Sequence, residues 1–143
     1  MTSGLTAVVA DDEQHARDEL CFLLGQLDGV DVVGEAGDGL AGVNLATQLR
    51  PDLVLLDLAM PVMDGLEALP RLRAELPDVK VVIVSGFERR AMESQVIEAG
   101  ADAYVQKGLP PQAMLAVLQT LFPGVPAELA SRVPAPRPPQ PII

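Results

Sequence analysis

The chain has 143 residues, enough for one domain of ordinary size, and 20 Asp and Glu against 10 Lys and Arg leave a formal charge of −10. That surplus excludes a broad affinity for nucleic-acid phosphates, while 49% hydrophobic residues exclude disorder of the whole chain. A single cysteine, Cys21, excludes an internal disulfide and a Cys-rich zinc site and fits a reducing compartment.

Met1-Thr2-Ser3-Gly4-Leu5 carries no positive charge and no long apolar run, so a secretory signal is not expected. No stretch reaches the roughly 18 apolar residues of a membrane span, and a cytoplasmic domain with no membrane partner is expected. The first β-branched run, Ala7-Val8-Val9-Ala10, leads into Asp11-Asp12-Glu13. Leu20, Leu23, Leu24 and Leu27 then mark one helix face, followed by a second strand at Val30-Asp31-Val32-Val33. Leu53-Val54-Leu55-Leu56 predicts the third strand, ending at Asp57. Leu66, Leu69, Leu72 and Leu76 predict a helix after Gly65, which Pro70 should kink or start late. Val81-Val82-Ile83-Val84 ends at Ser85, and Met92, Val96 and Ala99 mark the next helix. Ala103-Tyr104-Val105-Gln106 ends at Lys107, before a last helix face of Met114, Val117, Leu118 and Leu121.

Runs one, three and four are continuously apolar, as in parallel strands covered on both faces. Five strands alternating with five helices predict a parallel α/β sheet with right-handed crossovers. Beyond Phe122 lie 7 of the 13 prolines and only 3 of the 30 charged side chains. Residues 1–122 therefore read as the folded domain, and 123–143 as a proline-rich tail or linker that lacks donors for a helix or central strand. The PxxP matches in this tail read as linker, and it has no helix pair of helix-turn-helix length, so DNA binding is not expected of the chain.

Polar residues end four of the five strands: Asp11 and Asp12, Asp57, Ser85 and Lys107. In an open parallel sheet these ends share the carboxyl edge, where ligands bind. Clustered carboxylates raise one another's pKa unless a cation sits among them, and all-oxygen ligation with a phosphate suits magnesium. A carboxylate held in line on phosphorus can form an aspartyl phosphate, with a lysine and a hydroxyl placed to stabilise the phosphoryl oxygens. Singly, the acidic pair would suit a helix N-terminus, Asp57 a strand-end cap and Lys107 a solvated surface; it is their conjunction that carries the reading.

With VVADDE, PDLVLLDLAMPVMDG, VVIVSG and GADAYVQKG in this order, the sequence resembles a receiver domain of a two-component response regulator over roughly residues 5–121. The resemblance implies a CheY-like, flavodoxin-like doubly wound (βα)5 domain with strand order 2-1-3-4-5. It further implies that Asp57 accepts a phosphoryl group from a sensor histidine kinase or phosphotransfer protein. Asp12 would ligate Mg2+ (Mn2+ as an alternative) directly, Asp11 largely through water, and Asp57 and the Ala59 carbonyl would complete the set. Lys107 would pair with the phosphoryl group, Ser85 and Tyr104 would be switch residues, and Pro61 and Gly65 would shape the loop after Asp57. Phosphorylation would alter the surface of the fourth helix, fifth strand and fifth helix, through which a homodimer could form. The domain would then be a signalling switch with Mg2+-dependent self-phosphorylation rather than an enzyme.

Four departures from the pattern stand out. Ser85 replaces the usual Thr and loses the methyl that restricts its rotamer. Gly108 follows Lys107 where many receivers have proline, and a cis bond without proline costs about 2.5–4 kcal/mol, so a cis turn is not expected. Ala59 and Phe87 fill the positions that tune water access to the phosphoryl group; both are apolar, so slow self-dephosphorylation is expected. Two outputs fit the resemblance: a stand-alone receiver, or the regulatory half of a longer regulator. GADAYVQKG resembles receivers of LuxR-type transcription factors, and DDEQHARDEL those attached to LytTR output domains. A reading from another class is a phosphate-independent pseudo-receiver serving as a dimerisation module.

Some residues invite blander readings. Tyr104 fits either a half-buried strand residue or a side chain that changes rotamer. His15 reads as a solvated helix position and Cys21 as a buried or half-buried thiol. Gly37-Asp38-Gly39-Leu40-Ala41-Gly42 matches the dinucleotide fingerprint G-x-G-x-x-G. Gly34-Glu35-Ala36 is expected to separate it from the strand, and Glu35 and Asp38 would repel a pyrophosphate, so these glycines read as loop and packing positions.

Overall fold

The computed structural model describes residues 4–27 and 29–123. Five strands, β1 (Leu5–Ala10), β2 (Val30–Ala36), β3 (Leu53–Leu56), β4 (Lys80–Ser85) and β5 (Ala103–Gln106), alternate with five helices. The helices are α1 (Gln14–Gly25), α2 (Gly39–Leu49), α3 (Gly65–Glu75), α4 (Arg89–Glu98) and α5 (Pro111–Leu121). All strand pairs are parallel, in the order β2-β1-β3-β4-β5 expected for a doubly wound sheet. The tail expected at 123–143 falls, apart from Pro123, outside the described residues.

Strand alternation splits the core into two layers. Val8, Val54, Leu56, Val81 and Ile83 face one way and pack with Val43, Leu69, Leu72 and Val96 from α2, α3 and α4. Ala7, Val9, Leu53, Leu55 and Val82 face the other way, against Leu24 of α1 and Met114, Leu115 and Leu118 of α5. With both faces covered, residues 7–10 of β1, all of β3 and residues 81–85 of β4 are buried, which is why these strands read as continuous apolar runs.

Two expectations are corrected. Pro70 does not delay α3, which starts at Gly65 under a capping box in which Asp64 and Glu67 bond each other's backbone N–H. Buried Ala68, Leu69 and Leu72 then hold the helix to the sheet through the proline. The second strand also runs three residues further than its β-branched core, because Gly34, Glu35 and Ala36 pair with Val8, Val9 and Ala10.

The fingerprint-like glycines therefore follow the strand directly. They are filled by protein all the same. A Cβ on Gly39 would lie 2.0 Å from the Met63 carbonyl oxygen, and one on Gly42 would lie 3.1 Å from the Ala10 Cβ. The N-terminus of α2 is already capped by the Asp38 carboxylate, which accepts from the Ala41 N–H at 2.7 Å.

Candidate functional site

Each strand of the sheet core delivers its terminal side chain to the carboxyl edge through backbone pairing. The Asp11 N–H donates to the Ala36 carbonyl (3.0 Å), the Asp57 N–H to the Ala10 carbonyl (3.0 Å), and the Lys107 N–H to the Ser85 carbonyl (2.7 Å). These bonds continue the sheet ladder by one residue, so that strand register sets the spacing of the site.

Lys107 Nζ donates to Asp11 Oδ2 at 2.6 Å and to Asp57 Oδ2 at 3.2 Å. Each Asp keeps its other oxygen on a local amide: Asp11 Oδ1 accepts from Glu13 N–H (2.9 Å) and Asp57 Oδ1 from Leu58 N–H (2.8 Å). Asp11 is 1% and Asp57 6% exposed, whereas Asp12 is open to solvent. One carboxylate oxygen from each of the three lies within 4.8 Å of the others.

Burial and the facing Asp11 charge push the Asp57 pKa up, against the pull of Lys107 and the Leu58 amide. Burial works against the Lys107 charge, but its hydrogen bond to Asp11 and the charges of Asp57 and Asp11 prevail and raise its pKa. One ammonium thus bridges two buried carboxylates, and a third, exposed one completes the acidic cluster. Hard oxygen donors at this spacing, with excess negative charge, fit a divalent cation such as Mg2+.

Gly65 sets the floor of the loop after Asp57, donating to the Leu58 carbonyl at 2.9 Å; a Cβ there would come 2.4 Å from the Asp57 carbonyl oxygen. Ala59 is exposed in the same loop. Val62, 76% exposed, takes a φ of +68°, and the Met63 N–H bonds back across it to the Pro61 carbonyl at 2.7 Å. This tight turn strains a β-branched residue.

Ser85 is buried at the end of β4, and its hydroxyl oxygen accepts from the Phe87 N–H at 3.3 Å rather than meeting the carboxylates. Tyr104 lies in the core with its ring buried, and its hydroxyl donates to the Phe87 carbonyl at 2.6 Å. Both groups expected to act as a switch thus converge on the backbone of Phe87, whose own side chain is exposed. Lys107–Gly108 is trans, and Gly108 has a φ of +91°.

His15 is solvent-facing and 3.4 Å from Glu19. Cys21 is partly buried, and burial with the adjacent Glu35 carboxylate pushes its thiol up to about 11. The sequence reading missed Arg17, whose Nη1 donates to the Asp11 carbonyl at 2.6 Å and whose Nε lies 3.6 Å from Glu35. Nothing in a single sequence pairs an α1 arginine with a β2 glutamate.

Fold and site together define a CheY-like α/β domain with an acidic pocket at the carboxyl edge of its sheet. The chain belongs to the response regulator receiver domain family, whose profile matches residues 7–119. The response regulator GacA of Pseudomonas aeruginosa is 35% identical over 120 residues, which are 84% of this chain and 56% of that protein. The chain thus spans little more than half the length of this curated relative. The REC domain of AraT, a response regulator from Geobacillus stearothermophilus, superposes with a TM-score of 0.72 at 29% identity, covering 82% of this chain and 92% of that one. A DNA-binding response regulator of the LuxR family from Staphylococcus aureus gives a TM-score of 0.75 at 26% identity, with 82% and 98% covered. As a two-component receiver, the domain is a signalling switch. Among the described residues no helix is long and apolar enough to cross a membrane.

Proposed function

We propose that Asp57 accepts a phosphoryl group from the phosphohistidine of a sensor histidine kinase or phosphotransfer protein. The observation that carries this is Lys107 Nζ bridging Asp11 and Asp57, with Asp12 completing a cation-sized oxygen cluster. In the transfer an Asp57 carboxylate oxygen forms a bond to phosphorus. The phosphorus–nitrogen bond to the donor imidazole breaks, and the imidazole nitrogen keeps the electron pair and takes up a proton. Asp11, Asp12, Asp57 and the Ala59 carbonyl would hold Mg2+ (or Mn2+), which would supply neutralising charge for the phosphoryl oxygens. Lys107 is close enough to Asp57 to pair with a phosphoryl oxygen there, and its raised pKa keeps it charged at neutral pH.

The switch is a competition for the Ser85 hydroxyl. Rotation toward a phosphoryl oxygen releases the Phe87 N–H and loosens the segment between β4 and α4. Tyr104 is already inward, so its role is to hold the Phe87 carbonyl rather than to move in from solvent. The surface of α4, β5 and α5 then changes partners, a homodimer being one outcome. Ala59 and Phe87 offer no group to orient an attacking water, which supports slow self-dephosphorylation. Swapping in Ala59→Asn with Phe87→Glu should shorten the aspartyl-phosphate half-life; an unchanged half-life would sink that part.

The length of the relatives and the LuxR-family likeness favour a role as the regulatory half of a DNA-binding regulator over a LytTR output. Incubation with Mg2+ and acetyl phosphate tests the core reading. Wild type should gain the mass of one phosphoryl group and Asp57→Asn should not. Equal masses would leave a phosphate-independent interaction module in its place.

A further inference from the structure

We propose that Arg17 is a positioning residue for the acidic cluster, tying the turn that carries Asp11 and Asp12 to the end of β2. This rests on the cluster being the Mg2+ and phosphoryl site, and it names what holds that site in shape. Arg17 stands in the first turns of α1, beside exposed neighbours, yet its side chain is only 15% exposed. Its guanidinium is folded back under the turn and spread over three groups. Nη1 donates to the Asp11 carbonyl at 2.6 Å, Nη2 to Gln14 Oε1 at 2.5 Å, and Nε faces Glu35 Oε1 at 3.6 Å.

The Asp11 carbonyl belongs to the peptide that joins Asp11 to Asp12. Gripping it sets the plane between the two carboxylates and so the angle at which both project. The same turn is fastened to β2 a second time, by the Asp11 N–H on the Ala36 carbonyl, one residue beyond Glu35. Three carboxylates within 4.8 Å repel one another, and Lys107 restrains only Asp11 and Asp57. Arg17 restrains, through the Asp11 carbonyl, the peptide that leads into Asp12. A planar fork can serve three acceptors at fixed angles, whereas a lysine ammonium would reach one or two of them. Cys21, one helical turn further on, adds no charge to the Arg17–Glu35 pair, since its thiol is neutral at pH 7.

Two measurements on the full chain, made at a temperature where circular dichroism shows every variant folded, decide the matter. Titration with MgCl2 alone should show about tenfold weaker binding for Arg17→Met, an intermediate loss for Arg17→Lys, and a small loss for Glu35→Gln. Hydrogen exchange of the amides at 11–13, measured without metal, should speed up in the same order. Arg73→Met is the comparison: it removes a similarly buried arginine from the opposite edge of the sheet, and should lower stability with the Mg2+ affinity unmoved. Arg17→Met within twofold of wild type in both measurements overturns the proposal, as does an equal loss of Mg2+ binding in Arg73→Met. Should Arg17→Met not fold, Arg17→Lys and Glu35→Gln carry the same comparison. A wild type that takes no Mg2+ would overturn the metal reading itself, and the metal-free exchange rates would still decide whether Arg17 holds the turn.

Discussion

Asp57 illustrates how a functional side chain works against its own fold. Its pKa is raised by burial and by Asp11, so the folded state binds a proton more readily than the unfolded chain does. The penalty is absent below the ordinary carboxylate range, grows as pH rises, and is complete above the folded value. Asp57→Asn should therefore stabilise the domain at pH 7, with the gain shrinking as pH falls. Urea midpoints measured from pH 4 to pH 8 would show it, and a constant difference would contradict the assigned cause. Lys107 has the same sign: what it contributes is present below 10.5 and lost as pH rises through its higher folded value. The role of Arg17 also belongs to this scale, since one guanidinium sets one peptide plane.

At the scale of elements, the site depends on how closely the loops after β2 and β3 approach each other. Gly39 donates to the Met63 carbonyl at 3.0 Å, and Gly65 rests on the Asp57 carbonyl. A methyl group at either would meet backbone, which cannot rotate away. Gly39→Ala and Gly65→Ala should each cost about 1–3 kcal/mol in denaturant unfolding, and Gly65→Ala should weaken Mg2+ binding as well because it displaces Asp57. At the amino edge, Arg73 of α3 bonds the Gly100 and Val79 carbonyls and the Asp102 carboxylate, and so clips α3 to the starts of β4 and β5. Both partners are partly solvated, which tempers the effect: Arg73→Met should cost about 2 kcal/mol, read as a lower urea midpoint.

For the whole molecule, the acid surplus and the sheet have separate consequences. A cation that binds the folded cluster and not the unfolded chain stabilises the domain by mass action. Mg2+ at ten times its dissociation constant should add about 1.4 kcal/mol and raise the melting temperature by several degrees. Asp12→Asn should abolish most of that increment, whereas removing an exposed carboxylate far from the edge, such as Glu75, should leave it intact. A thermal melt with and without MgCl2 checks both.

The apolar runs ending in Asp11, Asp57 and Ser85 made the parallel sheet and its functional edge legible, because buried strands need continuous hydrophobicity and a polar residue marks where the run stops. The extension of β2 through Gly34-Glu35-Ala36 was not legible, since pairing with β1 rather than local propensity makes those residues a strand. Of the two effects expected of Pro70, a kink or a late start, the late start does not occur: that local signal yields to a capping box and a buried face, and α3 begins at Gly65. The sequence by itself determined the fold class and the three residue types at the sheet edge, Asp, Ser and Lys, for these follow from local pattern and order. Only the tertiary structure decided that Lys107 bridges Asp11 and Asp57, that Ser85 and Tyr104 both hold Phe87, and that Arg17 supports the acidic turn. Such pairings join positions up to 96 residues apart, and they exist only once the chain has folded.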